Sequence, residues 1–246
     1  MDNLPVVNGI VVADLDDTLS SCQSAYNKMK AKYWQITGVK QEDFDFLDVA
    51  RAKAIGLHRY NFKETMLMLY ARNLSDIRDY DPKIEQLINE LTDTSKYDYP
   101  LYEDTMESLK RLRDNHYMLF LVTSGIEKIQ RKCKINKFGK KFKGMFVDIT
   151  IVDRKTPEIF SRFLEIDPDA PVYSVGNSLS SELYNSYLAG ITNLIHIRKN
   201  NWQYDNGAHS IPEEKIIHVD NITQAVDYIL NNQYKGENYD SSKTKS

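Results

Sequence analysis

After Pro100 this 246-residue chain alternates short apolar runs with segments of helical spacing, and this alternation constrains its fold more than any other feature. The runs lie at 117–122 (YMLFLV), 148–152 (DITIV), 171–175 (PVYSV), 192–197 (TNLIHI) and 216–219, with helices predicted over 103–115, 126–138, 157–165, 180–188 and 222–231. Strands separated by helices pair in parallel through right-handed crossovers, which gives an open sheet covered on both faces. The run 8–13 (NGIVVA) is β-branched and uninterrupted by polar residues, the pattern of a strand buried on both sides, so it belongs near the centre of that sheet. The predicted fold class is α/β, a Rossmann-like doubly wound parallel sheet. Such sheets bind ligands at the carboxyl ends of their strands.

Between residues 20 and 97 the pattern changes to polar-apolar segments at helical spacing, with no convincing strand. Four helices fit. Gly38 and Gly56 stand where helices stop, and Asp81 before Pro82 supplies an N-cap and first-turn start for the fourth. The expected organisation is a core domain of 1–19 and 98–235, an inserted four-helix cap domain of 20–97, and a polar, unpatterned tail of 236–246 that reads as disordered.

A formal charge of -3 gives no basic footprint for nucleic acid. The run Lys132, Lys134, Lys137, Lys140, Lys141 and Lys143 reads as a solvated face, since no aromatic platform interleaves it. Asp14, Asp16 and Asp17 interrupt the first apolar run before it could form a signal or a membrane span. Cys22 and Cys133 lack CxxC spacing and read as free thiols in a reducing compartment, which points to the cytoplasm. His58, Arg59 and Tyr60 read as a solvated helix junction rather than a substrate clamp. His116, His196 and His218 read as satisfied core or edge residues, and Trp34 and Trp202 as packing residues.

The strands end in polar groups: DLDDT at 14–18, TSG at 123–125, DRK at 153–155 and GNS at 176–178. One sheet edge therefore collects them all. An ionised carboxylate attacks phosphorus, and a second carboxyl two residues later reaches the leaving oxygen, so Asp14 and Asp16 fit nucleophile and proton donor. Thr123 and Ser124 offer hydroxyl and backbone donors to phosphoryl oxygens, though both also suit capping of the helix that follows. Lys155 would neutralise phosphate charge and keep the nucleophile ionised. One or two carboxylates with a substrate oxygen suffice for Mg²⁺.

These motifs, VVADLDDTL at 11–19, MLFLVTSG at 118–125, DRKTPEIF at 153–160 and VGNSLSSE at 175–182, resemble in order and spacing those of the haloacid dehalogenase-like (HAD) hydrolase superfamily. The resemblance covers 8–230 and implies the phosphatase branch with a substrate-selecting helical cap after the first motif. By this resemblance Asp14 is nucleophile and metal ligand, and Asp16 is general acid and base and lends a backbone oxygen to Mg²⁺. Thr123 would bind phosphate and Lys155 would steady the aspartyl-phosphate. Members that cleave carbon-halogen bonds lack the second aspartate, so Asp16 implies phosphate esters. The fourth motif departs from the family's usual aspartates, placing Asn177 and Glu182 as metal ligands. The implied activity is a Mg²⁺-dependent phosphomonoesterase acting on a small metabolite. The alternatives are a phosphotransferase or mutase, and a weakened phospho-ligand-binding protein.

Overall fold

A computed structural model describes residues 7–55, 62–74, 77–199 and 210–237. Among them six strands form one parallel sheet: β1 Gly9–Ala13, β2 Tyr117–Ser124, β3 Asp148–Val152, β4 Val172–Gly176, β5 Asn193–Ile197 and β6 Ile216–Val219. Their order is β3-β2-β1-β4-β5-β6. Strand β1 is central, with Ile10 opposite Met118 on one side and Val172 on the other. The chain runs outward from β1 to β3, then returns across it to β4. The reversal falls between β1 and β4, where doubly wound sheets bind ligands.

Both faces of the central strands β1, β2 and β4 are buried, which is why their runs lack polar alternation. Val11, Ala13, Leu119, Leu121, Val175 and Ile195 point to one side and pack with Leu109, Leu112, Val226 and Ile229. Ile10, Val12, Phe120, Val122 and Leu194 point to the other and pack with Phe160 and Phe163. The helices responsible are Thr105–Asp114, Ile222–Glu237 and Pro157–Leu164. The last helix therefore runs past 231, and takes in Gly236 and Glu237 of the expected tail; 238–246 lie outside the described residues.

Helices Gln23–Thr37, Gln41–Ile55, Phe62–Arg72 and Pro82–Leu91 occupy the stretch between β1 and β2. Met29, Tyr33, Phe44, Met66, Leu69 and Ile88 build a further apolar cluster there. Gly38 ends the first of these helices with φ +71°, and Asp81 caps the fourth by accepting from the Lys83 amide at 2.9 Å. Gly56, His58, Arg59, Tyr60 and Trp202 lie outside the described residues. Trp34 is 56% exposed, so it faces solvent and is not the packing residue its composition suggests.

Two predicted helices are interrupted. In place of 126–138 the chain forms a short turn, Glu127–Ile129, and a π-helical stretch, Gln130–Ile135; in place of 180–188 a π-helical stretch, Leu179–Leu183, precedes Tyr184–Leu188. Bonds from the Asn136 amide to Arg131 O and from Leu183 to Ser178 O span five residues. Apolar periodicity cannot distinguish this wider winding from an α-helix. Both stretches border the polar sheet edge, where π-bulges often occur.

Candidate active site

Asp14 follows β1 directly, and its amide donates to Val175 O at 3.0 Å, which fixes the residue at the β1/β4 reversal. Its carboxylate is buried, with Oδ1 2.6 Å from Lys155 Nζ. Lys155, just beyond β3, lies 2.9 Å from Glu182 Oε2 as well. Glu182 Oε1 accepts from the Ser178 amide at 2.6 Å, so both its oxygens are engaged. Gly176 makes this possible, since a β-carbon there would overlap Cγ and Oε1 of Glu182.

One ammonium thus faces two buried carboxylates. Burial pushes the Asp14 carboxyl up, Lys155 opposes this, and Glu182 and Asp16 add to it, leaving Asp14 at about 7. Burial also pushes the Lys155 ammonium down, but Asp14 and Glu182 outweigh it and hold Lys155 above its ordinary value. With both carboxylates ionised, the cluster carries one negative charge in excess. The Thr18 hydroxyl lies 3.1 Å from Asn177 Oδ1 and 3.5 Å from Asp14 Oδ2, so these two oxygens converge. Uncompensated charge beside converging hard oxygens fits a small divalent cation. Among the described residues no group of three or more His, Cys, Asp or Glu side chains is arranged to hold a metal, so any such ion would need oxygens besides carboxylates, such as that of Asn177, main-chain carbonyls and water.

Thr123 and Ser124 are the last residues of β2 and not part of the following turn. Neither caps it, since the residue at the helix start is Ile126 and no side chain caps it. Thr123 Oγ1 is buried with no hydrogen-bond partner among the described residues. A phosphoryl oxygen would satisfy it.

Asp16 is held by residues that the sequence pattern did not single out. Lys134 Nζ lies 2.7 Å from both carboxylate oxygens, Gln130 Nε2 donates to Oδ2 at 2.8 Å, and the Cys22 thiol to Oδ1 at 3.3 Å. Burial alone would raise the Asp16 carboxyl, but Lys134 and these hydrogen bonds outweigh it and hold it below its ordinary value. Lys134 is itself buried, 4.7 Å from the Tyr99 ring centroid, so it leaves the solvated lysine face assigned to it. Its neighbours Lys132, Lys137, Lys140 and Lys141 are exposed as expected. Only the i, i+4 spacing of Gln130 and Lys134 behind TSG hinted at a shared target, and any solvated helix shows such spacing. Asp17 is structural: with φ +57°, it accepts from the Cys22 amide at 2.9 Å where the first helix of the insertion begins.

No family model matches the chain, and no curated protein matches its sequence. Solved structures do. A haloacid dehalogenase-like family hydrolase from Xanthomonas campestris superposes with a TM-score of 0.69 at 19% identity, covering 93% of this chain and 99% of that one. The chain has the HAD-like fold. Two further structures show it across different chemistries. A HAD phosphatase from Thermococcus onnurineus matches with a TM-score of 0.52 at 20% identity over 90% of this chain and 97% of its own. The L-2-haloacid dehalogenase RSc1362 matches with a TM-score of 0.58 at 11% identity over 92% and 100%. The HAD-like fold thus accounts for the sheet order and for the polar groups at one edge, while the chemistry rests on the side chains there.

Proposed function

We propose that the protein is a Mg²⁺-dependent phosphomonoesterase that hydrolyses a small phosphorylated metabolite through an aspartyl-phosphate on Asp14, with residues 20–97 as the substrate-selecting cap. The observation that carries this is the buried Asp14–Lys155 pair at 2.6 Å together with the unsatisfied Thr123 hydroxyl at the end of the neighbouring strand, two residues past Leu121, the partner of Ala13. Nucleophile, counter-cation and phosphate donor meet at one sheet edge. Asp16 favours phosphate esters over halogenated acids, because only the ester's leaving oxygen needs a proton.

Asp14 attacks phosphorus while Lys155, Thr123 and the backbone near Ser124 hold the phosphoryl oxygens. Asp16 delivers a proton to the leaving oxygen and later takes one from the attacking water. Its ionised state here is the accepting form. Asp14, Asn177 and the main-chain oxygen of Asp16 would hold Mg²⁺, which neutralises phosphate charge when bound. Glu182, engaged by Lys155 and the Ser178 amide, would act on it through water. Cys22 and Cys133 are free and buried, which supports a reducing, cytoplasmic setting. No helix among the described residues is long and apolar enough to cross a membrane.

A screen of metabolite phosphates with and without Mg²⁺, reading phosphate release, tests the proposal. Isomerised product without phosphate release would favour the mutase. Binding without turnover would favour a phospho-ligand-binding protein.

A further inference from the structure

Lys134 is a buried ammonium that the reaction just outlined does not use. Burying an ion pair is costly, and replacing one with apolar residues is often neutral or stabilising, so stability of the fold does not account for it. Its ammonium meets both oxygens of Asp16 at 2.7 Å. Gln130 adds a third contact at 2.8 Å and is itself anchored, since Nε2 also donates to the Ser124 carbonyl at 2.9 Å. Gly125, with φ +140°, leaves the room this requires, because a side chain there would press on Gln130 Nε2. The Asp16 side chain nevertheless stays 23% exposed. A carboxylate met by donors on both oxygens but still reachable has its orientation fixed while lone pairs remain through which it can take a proton.

We propose that Lys134, with Gln130, is a positioning residue that aims Asp16 at the water hydrolysing the aspartyl-phosphate; this rests on the phosphatase reading above. In that step the water oxygen bonds to phosphorus and the bond from phosphorus to the Asp14 oxygen breaks. Its electron pair returns to the Asp14 carboxylate. The water's proton passes to Asp16, which restores the acid form that donates to the next leaving oxygen, and the other hydrogen stays on the departing phosphate. Formation of the aspartyl-phosphate from an aryl phosphate needs no proton at the leaving oxygen, so it does not depend on this aim.

The two half-reactions therefore separate kinetically. With an aryl phosphate and Mg²⁺, Lys134→Met should lower kcat by about tenfold or more, the scale on which misaimed groups cost rate. KM should fall with it, leaving kcat/KM within about threefold, because slowing only the second step changes both alike. Acid quench during turnover should trap more phosphoenzyme than in wild type. Gln130→Met should shift all three readouts in the same direction, less far. In an Asp16→Asn background Lys134→Met should change kcat no further.

Loss of kcat/KM without phosphoenzyme accumulation, or full additivity with Asp16→Asn, would overturn the positioning role while leaving the phosphatase reading intact. If Lys134→Met does not fold, the Gln130→Met result decides in the same way. Wild-type protein that releases no phosphate from any ester overturns the phosphatase reading, and the positioning role with it.

Discussion

Lys155→Met removes the only cation paired with Asp14 among the described residues, while nearly keeping the shape of the side chain. The Lys155 side chain is 3% exposed and lies between carboxylates that are 7% and 4% exposed. Removing one partner of a buried pair costs about 3–5 kcal/mol. In a protein of this size that lowers Tm by about 6–20 °C. The loss should depend on pH. In the folded protein Asp14 titrates at about 7 against an ordinary 3.8. Between those values the folded state holds a proton that the unfolded state has released, so this group's contribution to stability falls as pH rises and levels off above the folded value. Ionised Asp14 is already destabilising by about 4 kcal/mol on that difference. Without Lys155 its folded value rises further, and the decline extends beyond 7. Thermal unfolding of EDTA-treated wild type and Lys155→Met at pH 5 and pH 8 is the assay. The Tm deficit at pH 5, where Asp14 is protonated in both, should be smaller than that at pH 8 by about 3–6 °C, because one pH unit past the folded value is about 1.4 kcal/mol. An equal deficit at both would refute the proton on Asp14 and the excess charge inferred for the cluster.

Three further outcomes are expected. Asp14→Asn should abolish turnover and leave the folded structure in place by circular dichroism, because an amide cannot attack phosphorus. Asn177→Asp adds a charge beside Asp14 Oδ2 and should lower the Mg²⁺ concentration for half-maximal phosphate release by roughly tenfold, about 1.4 kcal/mol. Gly176→Ala should destabilise by about 1–3 kcal/mol in denaturant unfolding, as overpacking does; in a Glu182→Ala background the penalty should vanish, since the overlap is with Glu182.

The sheet and the polar ends of its strands were legible in the sequence because each is a local matter. A strand buried on both faces must be apolar throughout, so 10–13 and 119–122 announce themselves. A parallel sheet then brings Asp14, Thr123, Lys155 and Asn177 to one edge, whatever the helices do. Alternation also predicted the crossovers, and Asp81-Pro82 predicted the start of the fourth helix in the insertion. What these cues could not carry was partner choice. The lysines at 132 and 134 are chemically identical, and only the packing of Gln130–Ile135 against the sheet edge shows that Lys134 meets Asp16 while Lys132 stays in water. The family resemblance makes Glu182 a metal ligand, yet its oxygens reach Lys155 and the Ser178 amide, because Gly176 opens space that only the folded strand end defines. The residue types and strand ends that make phosphate chemistry available are written in the chain itself. Which cation meets which carboxylate, and so which one is left with excess charge, depends on distances of a few ångströms between segments more than a hundred residues apart, and only packing decides those.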